Sequence, residues 1–137
     1  MIFSIHTKFD LPIDEQTERI IRAMDNPHVH ILAHPTGRRI GKRPGYQVDL
    51  ERVMEAALER GCFLEINAQP ERLDLDDVYA KRAKEMGLKV AISTDAHSTS
   101  ELRVLRFGVY QARRGWLEPD DVLNARSWNE ARELLKR

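Results

Sequence analysis

The chain has 137 residues, 42% of them hydrophobic, which suffices for one domain with a real core and is too short to expect two. Its 22 basic and 22 acidic residues cancel, so no global field points to nucleic acid or a membrane surface, and any such contact must be local. The single cysteine, Cys62, excludes a disulfide within the chain, no apolar run approaches the roughly 20 residues of a membrane helix, and the N-terminus lacks a signal-peptide layout; a soluble cytoplasmic protein without a membrane partner is the expectation.

The apolar run Ile2 to Ile5 predicts a first strand, closed by His6. Ile13, Thr17, Ile20, Ile21 and Met24 then recur at helical spacing between Pro12 and the stop at Asn26-Pro27. Val29 to Ala33 predicts a second strand with His34 at its end, followed by a glycine-rich basic loop from Pro35 to Gly45. Asp49 is suited to cap a helix carrying Leu50, Val53, Met54, Ala57 and Leu58, and Gly61 stops it. Cys62 to Ile66 predicts the third strand, in which Cys62 reads as a small core residue of a reduced protein. The stretch from Asn67 to Leu73 leads to a helix from about Asp76 to Met86, ended by Gly87, and Leu88 to Ile92 predicts the fourth strand. Beyond Ser98 the pattern is helical only: a segment from Ser100 to Arg113, a turn opened by Pro119, and a last helix from Ser127, with Glu130 completing a capping box. Apolar strands alternating with helices predict an α/β fold with a parallel sheet covered on both faces, about four βα units plus C-terminal helices.

In parallel α/β folds, functional groups collect at the C-terminal ends of the strands. His6, His34, Glu65 with Asn67, and Asp95 with His97 all take that position. Asp95 and His97, two residues apart in extended backbone, point the same way and offer an oxygen and a nitrogen to a divalent metal. A lone histidine after a strand is ordinarily a loop or capping residue; the coincidence on one rim makes these a candidate metal site. Histidine and carboxylate together suit zinc, manganese or ferrous iron better than magnesium or calcium. The loop after His34 adds Arg38, Arg39, Lys42 and Arg43, which composition alone reads as solvated surface charge. His28 and His30 read as structural or surface residues, Trp116 and Trp128 as packing anchors, and Lys81, Arg82 and Lys84 as the wet face of one helix.

Four segments carry a family resemblance: Ser4-Ile5-His6, Leu32 to Arg38, Leu64-Glu65-Ile66-Asn67-Ala68, and Ser93 to Ser98. In order and spacing they resemble the later motifs of PHP (polymerase and histidinol phosphatase) domains, and those of bacterial family-X DNA polymerases most, through His34 to Arg38, Asn67 to Leu75 and Arg106 to Leu117. The resemblance covers essentially the whole chain. It implies a distorted (β/α) barrel that binds up to three divalent metals, manganese, zinc or iron, and hydrolyses phosphoesters. It implies His6, His34, Asp95 and His97 as metal ligands, with His34, Asp95 and His97 catalytic through metal-activated water, and Arg38, Asn67 and Arg72 on the substrate side. Glu65 matches no ligand position. The family's opening His-x-His motif and its metal-binding Glu have no counterpart here, so the chain resembles the C-terminal half of such a domain, a partial barrel holding fewer metals.

Three functions follow as expectations. The first is the phosphoesterase module of a family-X DNA polymerase, a 3′ to 5′ exonuclease or 3′-end phosphatase in DNA repair acting on a DNA 3′ end, weak or inactive as an isolated chain. The second is a small-molecule phosphatase of the histidinol-phosphate type. The third is a noncatalytic half-barrel whose outer strands keep unpaired edges and whose inner face lacks a wall, so that it self-associates or needs its N-terminal half.

Overall fold

In the computed structural model, which describes residues 1–137, the third apolar run lies at the centre. Strands β1 (Ile2–Phe3), β2 (Ile31–Leu32), β3 (Phe63–Asn67) and β4 (Val90–Ser93) form one parallel sheet in the order β1-β2-β3-β4. Every residue of β3 is buried, as expected of a strand covered on both faces. Side chains alternate along it. Leu64 and Ile66 join Leu32, Val90 and Ile92 in the main core against four helices: α1 (Ile13–Met24), α2 (Leu50–Glu59), α3 (Asp77–Met86) and α4 (Leu105–Arg114). Phe63 joins Ala91, Leu123 and Ala131 in a smaller cluster on the other face, which helix α5 (Trp128–Leu134) helps to cover. Glu65 and Asn67 share the parity of Phe63, so they fall on that second face, nearer the rim. The fold is therefore α/β with a four-stranded parallel sheet, consistent with a partial barrel.

Local chemistry fixes the element ends. Asp49 accepts the Arg52 N–H and caps α2, while Asp76 accepts the Tyr79 N–H and caps α3. Gly87 closes α3 at φ 77°, a left-handed position that costs glycine little. The capping box forms as expected, with the Ser127 N–H donating to Glu130.

Several boundaries differ from the sequence pattern. The first two strands shrink to two residues each. β2 cannot continue because His34 already turns at φ 32° and Pro35 follows. The third strand is shifted by one residue, since Asn67 pairs in register with Ser93. The segment expected as one helix from Ser100 splits into a 3-10 stretch, Thr99–Val104, that buries no residue, and then α4.

Both tryptophans, read as anchors, are instead exposed, 73% at Trp116 and 71% at Trp128. Trp116 follows α4 in left-handed backbone at φ 61°, and the neighbouring Leu117 is buried in its place. The expected open edge beyond β4 is also partly closed. Asn124 donates to the Ile92 carbonyl at 2.7 Å and accepts the Ile92 N–H at 3.0 Å, beside a parallel bridge between Val90 and Val122. The chain's own C-terminal turn thus satisfies backbone groups that a further strand would take. No helix is long and apolar enough to cross a membrane.

Gly108 sets how closely α4 approaches the sheet. A Cβ there would lie 2.6 Å from Ile92 Cγ2 and 2.9 Å from Ala68 Cβ, both well inside van der Waals contact. Gly108→Ala should therefore destabilise the protein by about 1–2 kcal/mol in urea unfolding, because overpacking outweighs the roughly 1 kcal/mol gain in helix propensity. An unchanged or raised midpoint would show that α4 is free to move outward.

Candidate functional site

The site is built at the C-terminal ends of the strands. His34 follows β2 and is 96% removed from solvent, with its ring edge-on to His6 at 5.4 Å between centroids and 76° between planes. Asp95, two residues beyond β4, lies close enough to His34 to favour its charged form, and its Oδ2 is 3.7 Å from the Arg72 guanidinium. Both His34 (φ 32°) and Asp95 (φ 50°) adopt positive φ, uncommon for non-glycine residues although His and Asp are among those that take it most readily. Asp95, His97 and Arg72 line a shallow cleft of about 310 Å³ with Arg39, Gln69, Glu71 and Glu101.

The ring chemistry is defined by these neighbours. The Asp95 carbonyl, 2.8 Å from His97 Nδ1, can only accept, so Nδ1 carries a proton and Nε2 is the nitrogen that a neutral ring would leave free. His6 Nε2 lies 2.7 Å from the Ser4 hydroxyl. Burial and then the Arg72 charge lower the pKa of His34, partly opposed by Asp95, which holds the imidazole neutral as a ligand must be. Its buried Nδ1 has no hydrogen-bond partner. An orphaned ring nitrogen in a site of histidine and carboxylate donors fits a borderline divalent ion. No three His, Cys, Asp or Glu side chains converge on one ion position, so the expected ligands do not close a cluster by themselves.

Of the residues expected on the substrate side, only Arg72 faces the cleft. Arg38 donates through Nε to the Arg72 carbonyl at 2.8 Å and through Nη2 to the Leu73 carbonyl, and pairs with Asp76 at 3.5 Å. Asn67 is fully buried, donating to Glu65 and accepting the Gln69 N–H. Both tie the chain to itself. The remaining cations of the basic loop are paired as well: Arg39 and Lys42 meet Glu71, while Arg43 donates to the Gly37 carbonyl and covers the Phe9 ring at 4.1 Å. Glu71 is a residue of this cleft that the sequence did not single out, because its partners Arg39 and Lys42 lie 32 and 29 residues away along the chain. His28 is exposed, and His30 Nδ1 lies 2.7 Å from the amine of Met1, neither of them near the cleft.

Two buried carboxylates lie beneath the His34 loop. Glu65 accepts the His34 N–H at 2.6 Å, the Asn67 side chain at 3.2 Å and the Ser93 hydroxyl. Burial raises its pKa, against those three donors. Asp74 accepts the Thr36 N–H at 3.1 Å and the Gly37 N–H at 2.9 Å, and burial pushes its carboxyl up to about 6. Tyr46 completes the loop, donating its hydroxyl to the Pro35 carbonyl at 2.6 Å.

Comparison with known proteins adds an independent line. The chain is 44% identical over all 137 residues to the DNA polymerase/3'-5' exonuclease PolX of Bacillus subtilis, of which it covers 24%. It is 35% identical over 130 residues to a probable phosphatase of Thermoanaerobacter sp. (strain X514), covering 50% of that protein. A probable phosphatase of Caldanaerobacter subterraneus subsp. tengcongensis matches at 37% over 106 residues, 39% of its length. The chain thus spans a quarter to a half of the length of these relatives. No protein-family model matches it. By name, these relatives are a DNA polymerase with a 3'-5' exonuclease and probable phosphatases, all names of enzymes that cleave phosphoester bonds.

Proposed function

We propose that this chain is the C-terminal portion of a metal-dependent phosphoesterase domain of the PHP type, serving a family-X DNA polymerase as a 3′ to 5′ exonuclease or 3′-end phosphatase in DNA repair. The observation that carries the reading is the meeting of His6, His34, Asp95 and Arg72 at neighbouring strand ends, two of them in left-handed backbone. His6, His34, Asp95 and His97 would hold manganese, zinc or iron, with further ligands supplied from outside these 137 residues. When bound, such ions polarise the phosphoester and favour attack by water.

The chain's own residues orient and screen. Arg72, with its side chain 16% exposed, stands where it can hold a phosphoryl oxygen at the cleft while restraining Asp95. The Asp95 carbonyl holds the His97 ring in the tautomer that leaves Nε2 available. Glu71, paired with Arg39 inside the cleft and with Lys42 outside it, forms part of the cleft wall. A DNA 3′ end is the substrate of this reading, and the missing part of the domain is the partner.

A second reading, a small-molecule phosphatase of the histidinol-phosphate type, is supported by the probable phosphatases that match up to 90% of the chain. One experiment separates them. The protein carrying the whole domain should release nucleotides from a 3′-recessed DNA duplex with manganese stimulation, should leave histidinol phosphate untouched, and should lose the stimulated activity on His34→Ala. Persistence of that activity in the His34→Ala protein would sink the metal assignment, whereas turnover of histidinol phosphate alone would favour the second reading.

A further inference from the structure

The backbone of the loop that carries His34 is held in an unusual way. From His34 to Gly37 there are three N–H groups, since Pro35 has none, and all three donate to buried carboxylates of the neighbouring segment. Asp74 takes two of them and Glu65 takes the first, that of His34 itself. Glu65 is also the point where three strands meet. Its Oε2 accepts from His34 after β2 and from Asn67 on β3, while its Oε1 accepts the hydroxyl of Ser93, the last residue of β4 and two residues before Asp95. One carboxylate thus spans the two strand ends that carry His34 and Asp95, both in left-handed backbone. A folded chain burying an acid in the second face of its sheet, where Phe63 makes apolar contacts, needs a compensating role for it.

We propose that Glu65 is the positioning residue of this site: by hydrogen bonding to the His34 N–H and the Ser93 hydroxyl it holds the His34 backbone at positive φ and so fixes where its imidazole is presented. It touches neither substrate nor metal in this role. The effect is geometric, because glutamine can reproduce every contact. Its carbonyl oxygen can accept from His34 and Asn67, and its amide can donate to Ser93, whose hydroxyl is both donor and acceptor. Aspartate cannot, because one fewer methylene withdraws the oxygens from His34.

Nuclear magnetic resonance of the 137-residue chain tests this without metal. Glu65→Ala and Glu65→Asp should speed amide exchange at His34 about 100-fold and broaden or multiply the His34 ring signals, with the Val53 amide in α2 unaffected; Glu65→Gln should retain the wild-type pattern. Two variants are used because alanine at a buried site weakens folding, and the aspartate protein then carries the comparison. Unchanged His34 signals in either folded variant would overturn the proposal, as would a glutamine protein as perturbed as the alanine one. The second arm rests on the metal reading. Manganese titration of the protein carrying the whole domain should show binding about 10-fold weaker with alanine or aspartate at position 65 and restored by glutamine. A wild-type whole-domain protein that binds no manganese would count against the metal reading alone, while the resonance data still decide the role of Glu65.

Discussion

Asp74→Ala is expected to lower the unfolding free energy by about 3 kcal/mol, seen as a fall in the urea midpoint. The Asp74 side chain is fully buried, and its removal leaves the Thr36 N–H with no partner and the Gly37 N–H with only the His34 carbonyl at 2.9 Å. A buried donor left unmade costs about 1–3 kcal/mol, and the vacated volume adds to it. The same residue makes a pH-dependent contribution. Its folded pKa of about 6 stands above the ordinary 3.8, because burial outweighs the donors at Thr36 and Gly37 and the nearby Arg38. Between those two values the folded state binds the proton that the unfolded state has released, so this contribution to stability is present below pH 4 and is lost as pH rises through 6. The difference between the limits is about 2–3 kcal/mol. Subtracting the urea-derived stability profile of Asp74→Asn from that of the wild type isolates it. A flat difference from pH 4 to 7 would show that the carboxyl titrates as in water.

Ile66→Ala should be at least as damaging, about 3–4 kcal/mol by chemical denaturation, a large part of the 5–15 kcal/mol that holds a typical domain together. Ile66 is completely buried in the main core and pairs in register with Ile92. No neighbour can collapse into its space without moving β3, since Leu64 and Leu75 beside it in the core are themselves fully buried. The loss reaches the site as well, because Ile66 stands between Glu65 and Asn67, whose orientation toward the second face depends on its anchoring in the first. A cost below 1 kcal/mol would mean that the helices over this face repack freely.

Much of this arrangement is legible from residue type. α1 has the bounds its periodicity predicts, the caps at Asp49 and Ser127 form where their spacing placed them, and Asp76, the expected start of α3, proves to be its cap, because capping is settled within four residues of chain. The rim was legible for the same reason: an apolar run that ends in His or Asp puts that group at a strand end whatever the rest of the fold does. Arg38 was not. The resemblance put it on the substrate side, but its guanidinium fits the carbonyls of Arg72 and Leu73, which lie far along the chain and approach only when β2 and β3 pair.

By itself, then, the sequence determined the alternation of strands and helices, the helix ends and the set of polar groups on one rim, all consequences of local periodicity and short-range hydrogen bonding. Tertiary structure alone decided which of those groups face the cleft and which hold the chain together. Glu65, Asn67 and Asp74 are polar residues that any local reading places near solvent. Glu65 and Asp74 are buried because the backbone N–H groups of the His34 loop need acceptors once β2, β3 and β4 are side by side, and Asn67 is buried with them because it donates to Glu65 and accepts the Gln69 N–H; those needs exist only in the folded sheet.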